Sequence, residues 1–93
     1  MLVENLIKSG KATIVDVRTP EEFEFGHVKN SINIPLQIIE TKFDELKQLN
    51  QNPIVLCCAS GNRSGMATSL LQRYGFENVY NGGSWIYVNN LLK

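Results

Sequence analysis

A chain of 93 residues with 43% hydrophobic content can bury one modest core, and a single domain over residues 1–93 is expected. Nine Lys and Arg balance nine Asp and Glu, so no global field draws in nucleic acid or an anionic membrane, and neither is expected as a partner. No apolar run approaches the ~18 residues of a membrane span. The opening MLVENLIKSG is interrupted by Glu4 and Asn5 and lacks the basic and apolar regions of an export signal. The expected location is therefore the reducing cytoplasm, where cysteines are more often reactive than structural.

The predicted elements alternate helix and strand. Leu2, Val3, Leu6 and Ile7 fall at helical spacing and Gly10 ends the segment, which predicts a helix over residues 1–9. The β-branched run TIVDV predicts a buried strand over 13–17. Thr19 is placed to cap a short helix, with Pro20 at its first position, Glu21 and Glu22 in its first turn, and Gly26 as its stop. Residues 31–34 read as a short strand closed by Pro35, and 36–49 as one bent helix or two short ones. IVLC, over 54–57, is the cleanest buried strand. Ala67, Leu70, Leu71 and Tyr74 then mark one face of a helix that Gly75 stops. Val79 and Tyr80 form a last strand, 81–83 a turn, and Ser84 caps a final helix. Apolar strands alternating with helices predict an α/β domain, its mainly parallel, twisted sheet of four to five strands covered by helices on both faces.

The stretch LCCASGNRSG, which follows that buried strand, is where ligands bind in such sheets. Ala59, Ser60, Gly61 and Asn62 are small or tolerate unusual dihedrals, so the backbone can curl and point its N–H groups inward as an anion nest. The helix starting near Arg63 adds the positive end of its dipole. A thiol there should titrate below the free-cysteine value of about 8.5. Arg63 can bind an incoming anion or lock the loop through its carbonyls. Two registers are open: C-x4-R from Cys58 and C-x5-R from Cys57. The tighter ring suits attack on a terminal sulfane sulfur, and the wider one can surround a phosphate.

DVRTPEEFEFGHVKNSINIPL, starting at Asp16, and IVLCCASGNRSGMATSLLQRYGFENVYNGG, starting at Ile54, together resemble the single-domain rhodanese family. D-V-R-x-x-x-E-F-x-x-G-H-V, N-I-P, C-x-x-G-x-R-S, G-F-x-x-V and a Gly pair occur in the family's order and with similar spacing. The resemblance implies a rhodanese-like three-layer fold and a sulfurtransferase. It maps the persulfide-bearing cysteine onto Cys58, with Ala59, Ser60, Gly61, Asn62, Arg63 and Ser64 as the substrate-binding loop. The implied donor is a small sulfur-containing anion such as thiosulfate. The implied acceptor is cyanide, a thiol or a sulfur-carrier protein, and no cofactor is implied. The chain starts almost at its first helix, so a first edge strand found in many family members is expected to be lost or incomplete.

Other residues carry plainer readings. Cys57 alternates away from Cys58 and reads as sheet packing, or else as a resolving thiol. His27 reads as a structural hydrogen-bonding residue rather than a general base. Asp16 and Arg18 read as polar anchors at a strand end, and Glu21, Glu22 and Glu24 as a solvated helix face matched to the helix dipole. No His and Cys set has metal-ligand spacing, so no metal is expected. Three rivals stand beside the sulfurtransferase. A phosphatase or arsenate reductase would work from Cys57, but no aspartate lies near the loop in sequence to act as its general acid. A non-catalytic rhodanese-like module would bind a partner. A sulfur-relay subunit would share the chemistry and hand its sulfur to a protein.

Overall fold

The computed structural model describes residues 2–93. Four parallel strands form one sheet: β1 (Thr13–Asp16), β2 (Ile32–Asn33), β3 (Ile54–Cys58) and β4 (Val79–Ser84), in the order β2-β1-β3-β4. The central strands are largely apolar, Ile14 and Val15 in β1 and all of β3, because both their faces are covered. Strand alternation sorts their side chains. Val15, Ile54, Leu56 and Cys58 face one layer, and Ile14, Val55 and Cys57 the other. The first layer holds a 3-10 segment (Leu36–Lys42), α3 (Phe43–Leu49) and α4 (Asn62–Arg73), which bury Ile39, Leu46, Ala67 and Leu71 against the sheet. On the opposite face, α1 (Val3–Lys8) and α5 (Trp85–Leu91) bury Leu6, Ile7 and Val88. The result is the expected three-layer α/β architecture with a four-stranded sheet.

Helix α2 (Pro20–Phe25) buries no side chain and is fixed by its ends instead. Thr19 Oγ1 accepts the Glu22 N–H, and Glu22 Oε1 accepts the Thr19 N–H at 3.0 Å, a reciprocal capping box.

Several element readings change. Residues 36–49 form the two-piece alternative, and the strand expected over 31–34 shortens to two residues, with Pro35 beyond it unable to donate to a ladder. The first-helix expectation reaches Met1, which lies outside the described residues. Tyr74 is not a buried member of the α4 face; it caps the helix and tilts over Phe43 at 4.8 Å between ring centroids. The expected turn at 81–83 is strand. Leu56 pairs with Asn81 and Cys57 with Gly83, so Gly82 is the extra residue of a bulge. A Cβ on Gly82 would lie 2.6 Å from Val55 Cγ1 and 3.0 Å from Val88 Cγ2, so only glycine fits.

Strands β1 and β3 are neighbours, and their onward connections leave toward different places. A crevice therefore opens at their carboxyl ends. Cys58 is the last residue of β3, and α2 follows β1, so the cysteine loop and the first turn of α2 meet there.

Candidate active site

From Cys58 the chain curls through Ala59, Ser60 and Gly61 directly into α4, which begins at Asn62. Gly61 supplies the left-handed residue that such a tight curl needs, at φ 99°. A Cβ there would also press on Gly83 Cα at 3.3 Å. The curl points amides at the sulfur. The Gly61 N–H donates to Cys58 Sγ at 3.0 Å and the Ser64 N–H at 3.4 Å. Ala59, Ser60 and Asn62 form an exposed rim, while Cys58 itself is buried at the floor. Burial alone pushes the Cys58 thiol up. Hydrogen bonds from Ser64, Gly61 and the Ser60 N–H outweigh that and leave it below its usual range.

Ser64 is more constrained than the sequence suggests. Its hydroxyl lies 3.4 Å from Cys58 Sγ and 2.6 Å from Asn81 Oδ1. A hydroxyl has one proton. With a thiol, Cys58 S–H can donate to Ser64 Oγ while Ser64 donates to Asn81. With a thiolate, the Ser64 proton is contested between sulfur and Asn81. Asn81 is held in place by accepting the Gly83 N–H at 3.0 Å and donating to the Gly61 carbonyl at 3.3 Å. Sequence reading missed Asn81 because N-G-G looks like a turn; its only local signal was the glycine pair beside it.

Cys57 faces the other layer, among Ile7, Val55 and Val88. Burial first, and the Asp16 carboxylate second, push its thiol up to about 12. It therefore lies on the opposite face of β3 from Cys58.

Arg63 does not bond loop carbonyls. Its two terminal nitrogens donate to Glu22, Nη1 to Oε1 at 2.7 Å and Nη2 to Oε2 at 2.9 Å. Glu22 is thus no simple solvated helix residue. The Arg63 hydrogen bond, with the Thr19 N–H next, draws its carboxyl from an ordinary 4.5 down to about 2. Glu21 and Glu24 remain exposed. Asp16 and Arg18 form a buried ion pair at 2.7 Å. Arg18 also donates to the Glu22 and Gly26 carbonyls and sits 4.9 Å from the centroid of the Trp85 ring. His27 stacks on Phe23 at 3.7 Å and donates from Nδ1 to the Phe23 carbonyl at 2.7 Å, so it is bonded back to α2 rather than to the cysteine loop. Among the described residues no cluster of three or more His, Cys, Asp or Glu side chains is arranged to hold a metal ion.

At the end of a central parallel strand of this α/β fold, a buried thiol is thus met by converging backbone amides. The chain belongs to the rhodanese family: the model of the Rhodanese-like domain matches residues 2–84. A rhodanese-related protein from Thermoplasma volcanium has a similar crystal structure, with TM-score 0.74 and 36% identity over 91% of this chain and 83% of that one. Thiosulfate sulfurtransferase PspE of Escherichia coli is 32% identical over 74% of this chain and 66% of its own length. A tRNA uridine(34) hydroxylase of Hamiltonella defensa is 36% identical over 98% of this chain, which spans 27% of that enzyme. The chain thus spans from about a quarter to two thirds of the length of these two curated relatives.

Proposed function

We propose that the chain is a sulfurtransferase that carries sulfane sulfur as a persulfide on Cys58. With thiosulfate as donor, the Cys58 thiolate attacks the terminal sulfur; an Sγ–S bond forms, the S–S bond breaks, and sulfite leaves with the bonding pair. A thiophilic acceptor, such as cyanide, a thiol or a sulfur-carrier protein, then takes the outer sulfur and regenerates the thiolate. The observation that carries this reading is the convergence of the Gly61 and Ser64 N–H groups on one sulfur atom. Amides so arranged favour a thiolate and a terminal persulfide anion alike. The C-x4-R register supports it too, because its ring closes around a single sulfur. The phosphatase alternative needs Cys57, whose burial on the opposite face argues against it. No metal or cofactor is needed for this chemistry, and a reducing compartment would keep Cys58 available.

The test is intact mass spectrometry after brief exposure to thiosulfate, on wild type, Cys57→Ser and Cys58→Ser. One added sulfur in the first two and none in the third, removable by cyanide, is the expected result. Sulfur that tracks Cys57, or turnover of an aryl phosphate, would overturn the assignment.

A further inference from the structure

The cysteine loop opens at the carboxyl end of β3, where it runs into α4. Two guanidinium groups stand at this end of the sheet, and both are occupied by carboxylates. Arg18 is buried, with Nε and Nη2 on Asp16, Nη2 also on the Gly26 carbonyl and Nη1 on the Glu22 carbonyl. Arg63 has each terminal nitrogen on a different oxygen of Glu22. Glu22 cannot readily swing aside with it. Its Oε1 also accepts the Thr19 N–H at 3.0 Å and the Thr19 hydroxyl at 3.1 Å, so the carboxylate is anchored to the start of α2. The loop amides, for their part, already point at Cys58 Sγ. A dianionic donor arriving here meets a thiolate and a neutralised ion pair. It must either displace Glu22 or share the N–H groups Arg63 has left with a carboxylate that already cancels the guanidinium charge.

We propose that Glu22 sets donor specificity: by occupying Arg63 it disfavours dianionic donors such as thiosulfate and leaves the loop suited to hydropersulfides. A hydropersulfide needs no guanidinium. The Cys58 thiolate attacks the outer sulfur of R–S–SH; the Sγ–S bond forms, the S–S bond breaks, R–S⁻ leaves with the pair, and the proton stays on the transferred sulfur. This inference rests on the sulfurtransferase reading and adds a residue that discriminates among its donors.

The test is the rate of sulfur uptake by Cys58, followed by intact mass, with thiosulfate and with an alkyl hydropersulfide that carries no carboxylate. Glu22→Gln removes the charge but keeps an oxygen for the Thr19 N–H, so the cap survives. Its uptake from thiosulfate should rise roughly tenfold, the size expected of one additional charge-assisted hydrogen bond to the donor. Uptake from the hydropersulfide should change by less than about twofold, since that donor makes no such bond. Adding Arg63→Gln should cancel the rise, because the freed guanidinium is its source. An unchanged ratio between the donors, or an equal rise with both, overturns the proposal while leaving the sulfurtransferase reading intact. Uptake from neither donor in any variant overturns that reading and this one with it. A wild-type measurement guards against a variant that fails to fold. Relative to their rates with free glutathione thiolate, a monoanionic aryl thiosulfonate must load Cys58 faster than thiosulfate does; the reverse order overturns the proposal.

Discussion

Ser64 has one hydroxyl proton and two acceptors within reach, Cys58 Sγ at 3.4 Å and Asn81 Oδ1 at 2.6 Å. The shorter contact sets Asn81 against the sulfur for that proton, while the backbone N–H groups of Gly61 and Ser64 donate to Sγ as well. Alkylation of Cys58 as a function of pH reads this balance directly, because only the thiolate reacts. The wild-type midpoint should lie below that of an ordinary thiol. Ser64→Ala should move it upward, by removing the hydroxyl that can turn to the sulfur. Asn81→Ala should move it downward, by releasing that hydroxyl from its competitor. Shifts in the same direction in both variants would mean that the two acceptors do not compete. Cys57 provides the internal contrast: buried and pushed up to about 12, it should resist alkylation in the native protein and react only on unfolding.

At the next scale, β1 and α2 are joined through the buried Arg18, which pairs with Asp16 and donates to the Glu22 carbonyl, rather than by apolar packing, since α2 buries no side chain. Asp16→Ala leaves the Arg18 charge unpaired in a buried site and should cost about 3–5 kcal/mol in urea unfolding. A loss below about 1 kcal/mol would show that water or the Glu22 and Gly26 carbonyls suffice for Arg18. The bulge in β4 is a packing feature of a different kind. Gly82→Ala should cost about 1–3 kcal/mol, because its Cβ would overlap Val55 and Val88 side chains. These elements differ in how far the sequence reveals them. The Thr19-Pro20-Glu21-Glu22 cap and the Ile54–Cys58 strand are legible because their causes are local: cap chemistry, and an unbroken apolar run. The β4 bulge is not, because N-G-G is a turn signal that pairing with β3 overrides. The cysteine cradle is legible in its glycine and small residues. Its two long-range braces, Ser64–Asn81 and Arg63–Glu22, are not, since they join side chains 17 and 41 positions apart.

Across the whole molecule, the Arg63–Glu22 pair ties the helix after β1 to the helix after β3 over the crevice between the two strands. It therefore belongs to stability as well as to the site. Glu22 falls from 4.5 to about 2 on folding, so its ionised form is favoured in the native state. For a carboxyl with a depressed native value, the stabilisation is fully present above the unfolded value of 4.5 and is lost as pH falls toward about 2. Both side chains are about one-third exposed, so solvent screening holds the contribution at neutral pH to ~1 kcal/mol or less. Urea unfolding of wild type and Glu22→Gln at pH 7, 4 and 2 isolates it. Other carboxylates titrate alike in both proteins, and the variant keeps its helix cap. Wild type should be the more stable at pH 7, the gap should narrow at pH 4, and it should be largely gone at pH 2. A gap that stays constant with pH would assign the difference to the cap or to packing. The ion pair across the crevice would then govern only which anions reach Cys58, and not how firmly the two halves of the sheet are held together.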